Sequence, residues 1–160
     1  MKRAFTLLEV IIVITLLGLV FGLFSYVFKS SVESSVFLAG DSQRLKEEAL
    51  LVWNIQRKVI SAKDAYMERD KLFLHTYAGD YYPGLVKCAF IYKDGVLYYY
   101  EFPYPYGDIK FYEDDKLIKL GKFEGLSFSA VKGGKTEETY KGLPDLYRIT
   151  IDGREYLIKP

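Results

Sequence analysis

Cysteine, histidine and net charge are all scarce in this chain. Among 160 residues there is one Cys and one His, and 22 Lys and Arg stand against 21 Asp and Glu, a formal +1. The single thiol, Cys88, excludes an intramolecular disulfide. It lies in the apolar stretch Val86 to Tyr92 and reads as a small buried hydrophobe. His75 has no Cys or His cluster around it, so zinc spacing is absent and a packed position among strand formers is its ordinary reading. Neither G-x-S-x-G nor another nucleophile motif occurs, no catalytic residue is marked, and the chain does not read as an enzyme. The near-neutral balance gives no field for nucleic acid, and no nucleic-acid partner is expected. There is no internal repeat or low-complexity tail, and all five prolines fall at or beyond Pro83.

What is present begins at the N-terminus. From Val10 to Phe28 no residue is charged. At about 1.5 Å rise per residue that run spans close to the roughly 30 Å of a bilayer's hydrocarbon core, which makes it a membrane anchor. It exceeds the roughly 7–15 residues of a secretory h-region, and no A-x-A site follows. Lys2 and Arg3 precede the run and Lys29 follows it, a bias that favours a cytoplasmic N-terminus only weakly by count. Gly18 and Gly22 stand four apart within it, a weak helix-pairing signal. Glu9 sits at the mouth of the run, where a carboxylate is costly and calls for a partner.

A short basic leader, a small residue and then Phe5-Thr6-Leu7-Leu8-Glu9-Val10 opening a long apolar helix resembles the class III leader of type IV prepilins and type II secretion pseudopilins. The resemblance implies cleavage by prepilin peptidase between Ala4 and Phe5, N-methylation of Phe5, and assembly of the mature helix into a filament. The family usually has Gly before the cut, and a methyl group at Ala4 is expected to slow processing. Glu9 is then the assembly residue. It meets the free α-amino group of Phe5 on a neighbouring subunit, an amine whose pKa of about 7.7–8.0 leaves it mostly cationic at neutral pH. The implied partners are other pilins or pseudopilins, the prepilin peptidase, an inner-membrane assembly platform, and membrane lipid before assembly. The implied location is the cytoplasmic (inner) membrane, with a single pass, the short N-terminus cytoplasmic and the C-terminal domain periplasmic.

Beyond Phe28, Leu45, Ala49, Val52, Ile55 and Val59 recur at steps of four, three, three and four, one face of a helix, with Arg44, Lys46, Glu47, Glu48, Arg57 and Lys58 opposite. Such a stripe docks on a sheet. Lys29 to Gln43 is Ser-rich with a Gly40-Asp41-Ser42 break, where a bend or fraying is expected. From Lys71 the chain reads as β: Leu72 to Tyr77, Leu85 to Tyr92, Val96 to Phe102, Ile109 to Tyr112, Lys116 to Leu120, Leu126 to Val131, Leu146 to Ile151 and Glu155 to Ile158. Lys93-Asp94-Gly95, Lys132-Gly133-Gly134-Lys135 and Asp152-Gly153 are the turns. Pro103 and Pro105 exclude a central strand between them. The expected fold is α+β: a leader at 1–4, a membrane-spanning helix at 5–28, its amphipathic continuation at 29–65 and a β-rich domain at 66–160, the lollipop arrangement the resemblance also implies.

Two weaker signals remain. Glu113-Asp114-Asp115 lacks the alternating ligand spacing of an EF-hand loop. It reads as a solvated turn, with Ca²⁺ the one cofactor worth naming. Leu126, Phe128, the glycine turn and Gly142-Leu143-Pro144 leading into Leu146 to Ile151 resemble the J-type minor pseudopilins and W-type minor pilins, and the presence of Glu9 argues against the K-type tip subunit. The competing expectation is a single-pass membrane-anchored binding or sensor domain that does not polymerise.

Overall fold

The computed structural model describes residues 7–160, and within them the side chains of all but 32–42. The fold is α+β. Helix α1 runs Leu7–Ile60 and is followed by ten strands. The described chain divides at Glu47 and Glu48 into two units. In the first, Leu7–Ser31 is long and apolar enough to cross a membrane, and none of it is buried. The helical assignment continues through Gly40-Asp41-Ser42, where a break was expected. One glycine costs a helix interior only about 1 kcal/mol against Ala, and the flanking helix formers outweigh it.

In the second unit α1 continues from Glu48 to Ile60, not to residue 65, and β1 (Ala62–Glu68) follows almost at once. The Thr76 hydroxyl donates to the Lys58 carbonyl at 2.8 Å and so satisfies one of the orphan acceptors of the helix end. One sheet has the order β5-β4-β3-β2-β1-β8 and contains, in chain order, β2 (Lys71–Thr76), β3 (Val86–Lys93), β4 (Val96–Phe102), β5 (Ile118–Lys122) and β8 (Tyr140–Lys141). The other, β10-β9-β6-β7, contains β6 (Leu126–Lys132), β7 (Lys135–Glu137), β9 (Leu146–Ile151) and β10 (Arg154–Ile158). Each pairing is antiparallel, β3 meeting β4 with Lys93 opposite Val96, and β9 meeting β10 with Ile151 opposite Arg154. Asp94 and Asp152 take φ of 53° and 48°, with Gly95 and Gly153 at 75° and 83°. Those are the two consecutive left-handed residues of a two-residue hairpin turn, which Asp-Gly tolerates well.

The core joins three layers. Leu51, Ile55 and Val59 of α1 pack with Leu72, Leu74, Phe90 and Tyr99 of the larger sheet and with Phe128, Tyr147 and Ile149 of the smaller. Each fully buried large apolar side chain contributes roughly 1.5–3 kcal/mol. The helix stripe is rotated from its expected position, because Leu45 and Ala49 are exposed while Leu51 is buried. The opposite face of the larger sheet carries Phe73, Ala89, Ile91 and Tyr100, covered by Phe102 at the end of β4 and by Ile109, Tyr112 and Leu117 of the segment after it. Both ring rows of Tyr98 to Phe102 are thereby accounted for as packing. The segment 109–112 is not the strand its composition suggested. Asp108 accepts from the Lys110 backbone N–H through its side chain and from the Phe111 N–H through its carbonyl, making a turn.

Candidate assembly site

Ala4 and Phe5, the expected cleavage pair, lie outside the described residues. Glu9 lies in the first turn of α1 and is exposed, among apolar neighbours such as Leu8 at 67% and Ile11 at 53% exposure. A carboxylate suits the positive end of the helix dipole. Thr15 returns its hydroxyl to the Ile11 carbonyl at 2.8 Å, so its polar atom is satisfied within the helix. The surface of Leu7–Ser31 therefore presents aliphatic and aromatic side chains around one acid near the N-terminal end, the pattern of a rod that is at home in lipid or among other apolar helices.

The remaining candidates take structural places. Cys88 on β3 is fully buried, and burial pushes its thiol up to about 12, which leaves it an unreactive packing group. His75 on β2 stands between Asp64 of β1 and Lys87 of β3, and burial lowers its pKa. Glu113 is engaged by the Lys116 ammonium at 2.7 Å and by the Tyr100 hydroxyl at 3.4 Å, with a short 3-10 turn at Asp114–Lys116. Among the described residues no group of three or more His, Cys, Asp and Glu is arranged to hold a metal ion.

Two charged residues assigned to the solvent face of the helix are in fact buried. Glu48, 3% exposed, accepts from the Arg154 guanidinium at 2.9 Å and the Tyr156 hydroxyl at 2.6 Å, tying α1 to β10. Lys58 is wholly buried. Its ammonium donates to Asp80 Oδ2 at 2.7 Å and the Ala78 carbonyl at 3.1 Å, and lies 4.9 Å from the centre of the Tyr99 ring. Arg57 pairs with the other Asp80 oxygen. Burial pushes the Asp80 carboxyl up, but the Lys58 ammonium and Arg57 guanidinium outweigh it and hold the pKa below the usual range. Glu101 completes the cluster by accepting from the backbone N–H groups of Asp80, Tyr81 and Tyr82 at 2.7, 3.0 and 2.9 Å and from the Tyr99 hydroxyl. The result fixes the β2–β3 loop to the helix end. A sequence signal existed: Lys58 stands three residues after Ile55 and seven after Leu51, which puts it on the same helix face as the buried stripe.

Comparison with known proteins bears on the N-terminal half of this picture. Residues 1–25 match the model of the prokaryotic N-terminal methylation motif. The chain is also 40% identical over 158 residues to an uncharacterized protein of Aquifex aeolicus (strain VF5), covering 98% of this chain and 91% of that one. The chain belongs to that protein's family. No solved structure matches it. The methylation motif supports a pilin-type precursor, and the exposed helix behind the motif is long and apolar enough to anchor it in a membrane.

Proposed function

We propose that this protein is a minor pilin-like structural subunit of a type II secretion pseudopilus or type IV pilus, and not an enzyme. The observation that carries the reading is the methylation motif at residues 1–25 heading an apolar helix, Leu7–Ser31, of which nothing is buried within the chain. Prepilin peptidase cuts between Ala4 and Phe5, Phe5 is N-methylated, and the rod moves from lipid into a bundle of like helices. There Glu9 meets the Phe5 ammonium of a neighbour. The pair offsets the desolvation of both charges and sets the axial register. The globular unit stands outside the cytoplasmic membrane.

A minor role of the J or W type is supported by the Leu126 and Phe128 strand, the Gly133-Gly134 turn and the Leu143-Pro144 lead into β9. The N-terminal peptide of the protein taken from its native cell tests the reading. A peptide beginning at Phe5 and heavier by one methyl group, with the protein recovered in sheared filaments, is the expected result. An intact Met1 on functioning protein would overturn it in favour of a tethered domain that never polymerises.

A further inference from the structure

The end of α1 holds an amine and a carboxyl group in contact inside the fold. The Lys58 side chain is 0% exposed, and its Nζ lies 2.7 Å from Asp80 Oδ2, although the two residues stand 22 apart in the chain. Both partners are held in place. Arg57 donates to the other oxygen of Asp80, and Glu101 accepts from the backbone N–H groups of Asp80, Tyr81 and Tyr82 at 2.7, 3.0 and 2.9 Å. The Lys58 ammonium also donates to the Ala78 carbonyl at 3.1 Å and lies 4.9 Å from the centre of the Tyr99 ring. Two cations and two carboxylates thus meet at one place, and one of the cations has no access to water.

We propose that Lys58 and Asp80 join covalently after folding, as an amide between Nζ and Cγ that cross-links the end of α1 to the β2–β3 loop. The ammonium first passes a proton to Oδ2, its hydrogen-bond partner, and the freed amine then attacks Cγ. The Nζ–Cγ bond forms, the Cγ–Oδ2 bond breaks, and Oδ2 leaves as water carrying two of the three ammonium protons. Neither an oxidant nor a second protein is consumed. With Nζ in hydrogen-bond contact with Oδ2, Cγ is roughly 3.5 Å away, the outer limit of a near-attack pair, and groups held in this way react as if at about 10⁵–10⁸ M. Arg57 sits on the oxygen where negative charge gathers as the amine adds, the place for a preorganised donor. The product is satisfied where it stands, because its N–H has the Ala78 carbonyl and its C=O keeps Arg57. The bond removes the buried ammonium and one carboxylate together, and with them the cost of holding an ion pair out of water. The Asp80 side chain is 26% exposed, which gives the released water a way out. Closure is slow, since Arg57 also favours the ionised form of Asp80 and the carboxylate must turn its face to the amine. Freshly folded chains therefore carry the ion pair, and the bond accumulates on them.

The intact mass of the full chain in detergent, followed over days after purification, tests this. A component lighter by one water should be present and should grow at the expense of the rest. Trypsin should release from it residues 58–63 joined to residues 72–87, because an acylated Lys58 is no longer a cleavage site. Lys58→Met, which has no amine to react, should keep its full mass throughout. Full mass in the unaltered chain at every time, with ordinary cleavage after Lys58, would overturn the proposal. So would the same loss of water in Lys58→Met, or a loss that maps to Asp94-Gly95 or Asp152-Gly153, where an aspartyl-glycine turn can close to a succinimide without any lysine. Removal of a leader or methylation of Phe5 shifts every form by the same mass and leaves the difference of one water unchanged, so the result stands apart from the pilin-type reading.

Discussion

Lys58 and Asp80 are unequal members of one ion pair, and the inequality sets what each substitution does. The Lys58 side chain is 0% exposed and the Asp80 side chain 26%. Asp80→Asn keeps the loop's shape and one acceptor oxygen but removes the counter-charge of a buried ammonium whose other partners are the Ala78 carbonyl and the Tyr99 ring. Breaking a buried pair in this way costs roughly 3–5 kcal/mol, and the partial exposure of Asp80 places this case near the lower end, about 3 kcal/mol. Lys58→Met puts an apolar side chain of similar shape into the same space. Asp80 then keeps Arg57 and contact with water, so the cost should stay under about 1.5 kcal/mol. The two losses should not add: with a coupling of about 2 kcal/mol the double variant should lose about 2.5 kcal/mol or less, no more than Asp80→Asn alone. Thermal unfolding of the full chain in detergent, followed by near-UV circular dichroism, reads these differences directly. At roughly 4–8 °C per kcal/mol for a unit of this size, Asp80→Asn should lower Tm by about 12 °C or more and Lys58→Met by less than half of that. If Lys58→Met proved as damaging as Asp80→Asn, or if the two losses simply added, the ammonium would not be the buried charge on which the loop depends.

The same loop gives two further expectations. A Cβ at Gly79 would lie 2.7 Å from the Tyr82 carbonyl oxygen and 2.8 Å from Glu101 Oε1, so Gly79→Ala must displace backbone and should cost about 1–3 kcal/mol in unfolding experiments; an unchanged midpoint would show that the loop has slack. Because the folded-state pKa of Asp80 lies below its unfolded value, its contribution is complete above about pH 4 and is lost as pH falls through the folded-state value, so Tm should drop on acidification and drop less steeply in Asp80→Asn. Identical acid slopes in the two proteins would place the sensitivity elsewhere. At the other end of the chain, Glu9→Ala should leave cleavage at Ala4 and Phe5 intact but reduce recovery in sheared filaments several-fold, which quantitative immunoblotting of the sheared fraction would measure; normal recovery would remove Glu9 from assembly.

The parts of this molecule written in local chemistry were legible, and the parts decided by distant partners were not. An uninterrupted apolar run, two Asp-Gly turns and strands rich in rings and branched residues each declare themselves within a few positions, and the anchor and the hairpins follow. Strand β1 did not, because Ala62-Lys63-Asp64-Ala65-Tyr66-Met67-Glu68 is built mostly of helix formers; pairing with β2 and the burial of Ala65 and Met67 on alternate positions override that preference. Glu48 and Lys58 were placed in solvent for the same kind of reason. A charge is an argument for exposure only until a partner far along the chain meets it, and Arg154 and Asp80 lie 106 and 22 residues away. The pattern of what stayed hidden has a functional side. Inside the globular unit the unexpected charges were buried and paired, consistent with a body fixed in one shape. On α1, by contrast, the sequence placed apolar residues that the chain never covers, along Leu7–Ser31 and again at Leu50, Trp53 and Ile60. An apolar run declares a helix from its own sequence alone, whereas what covers that helix is written in no residue of this chain.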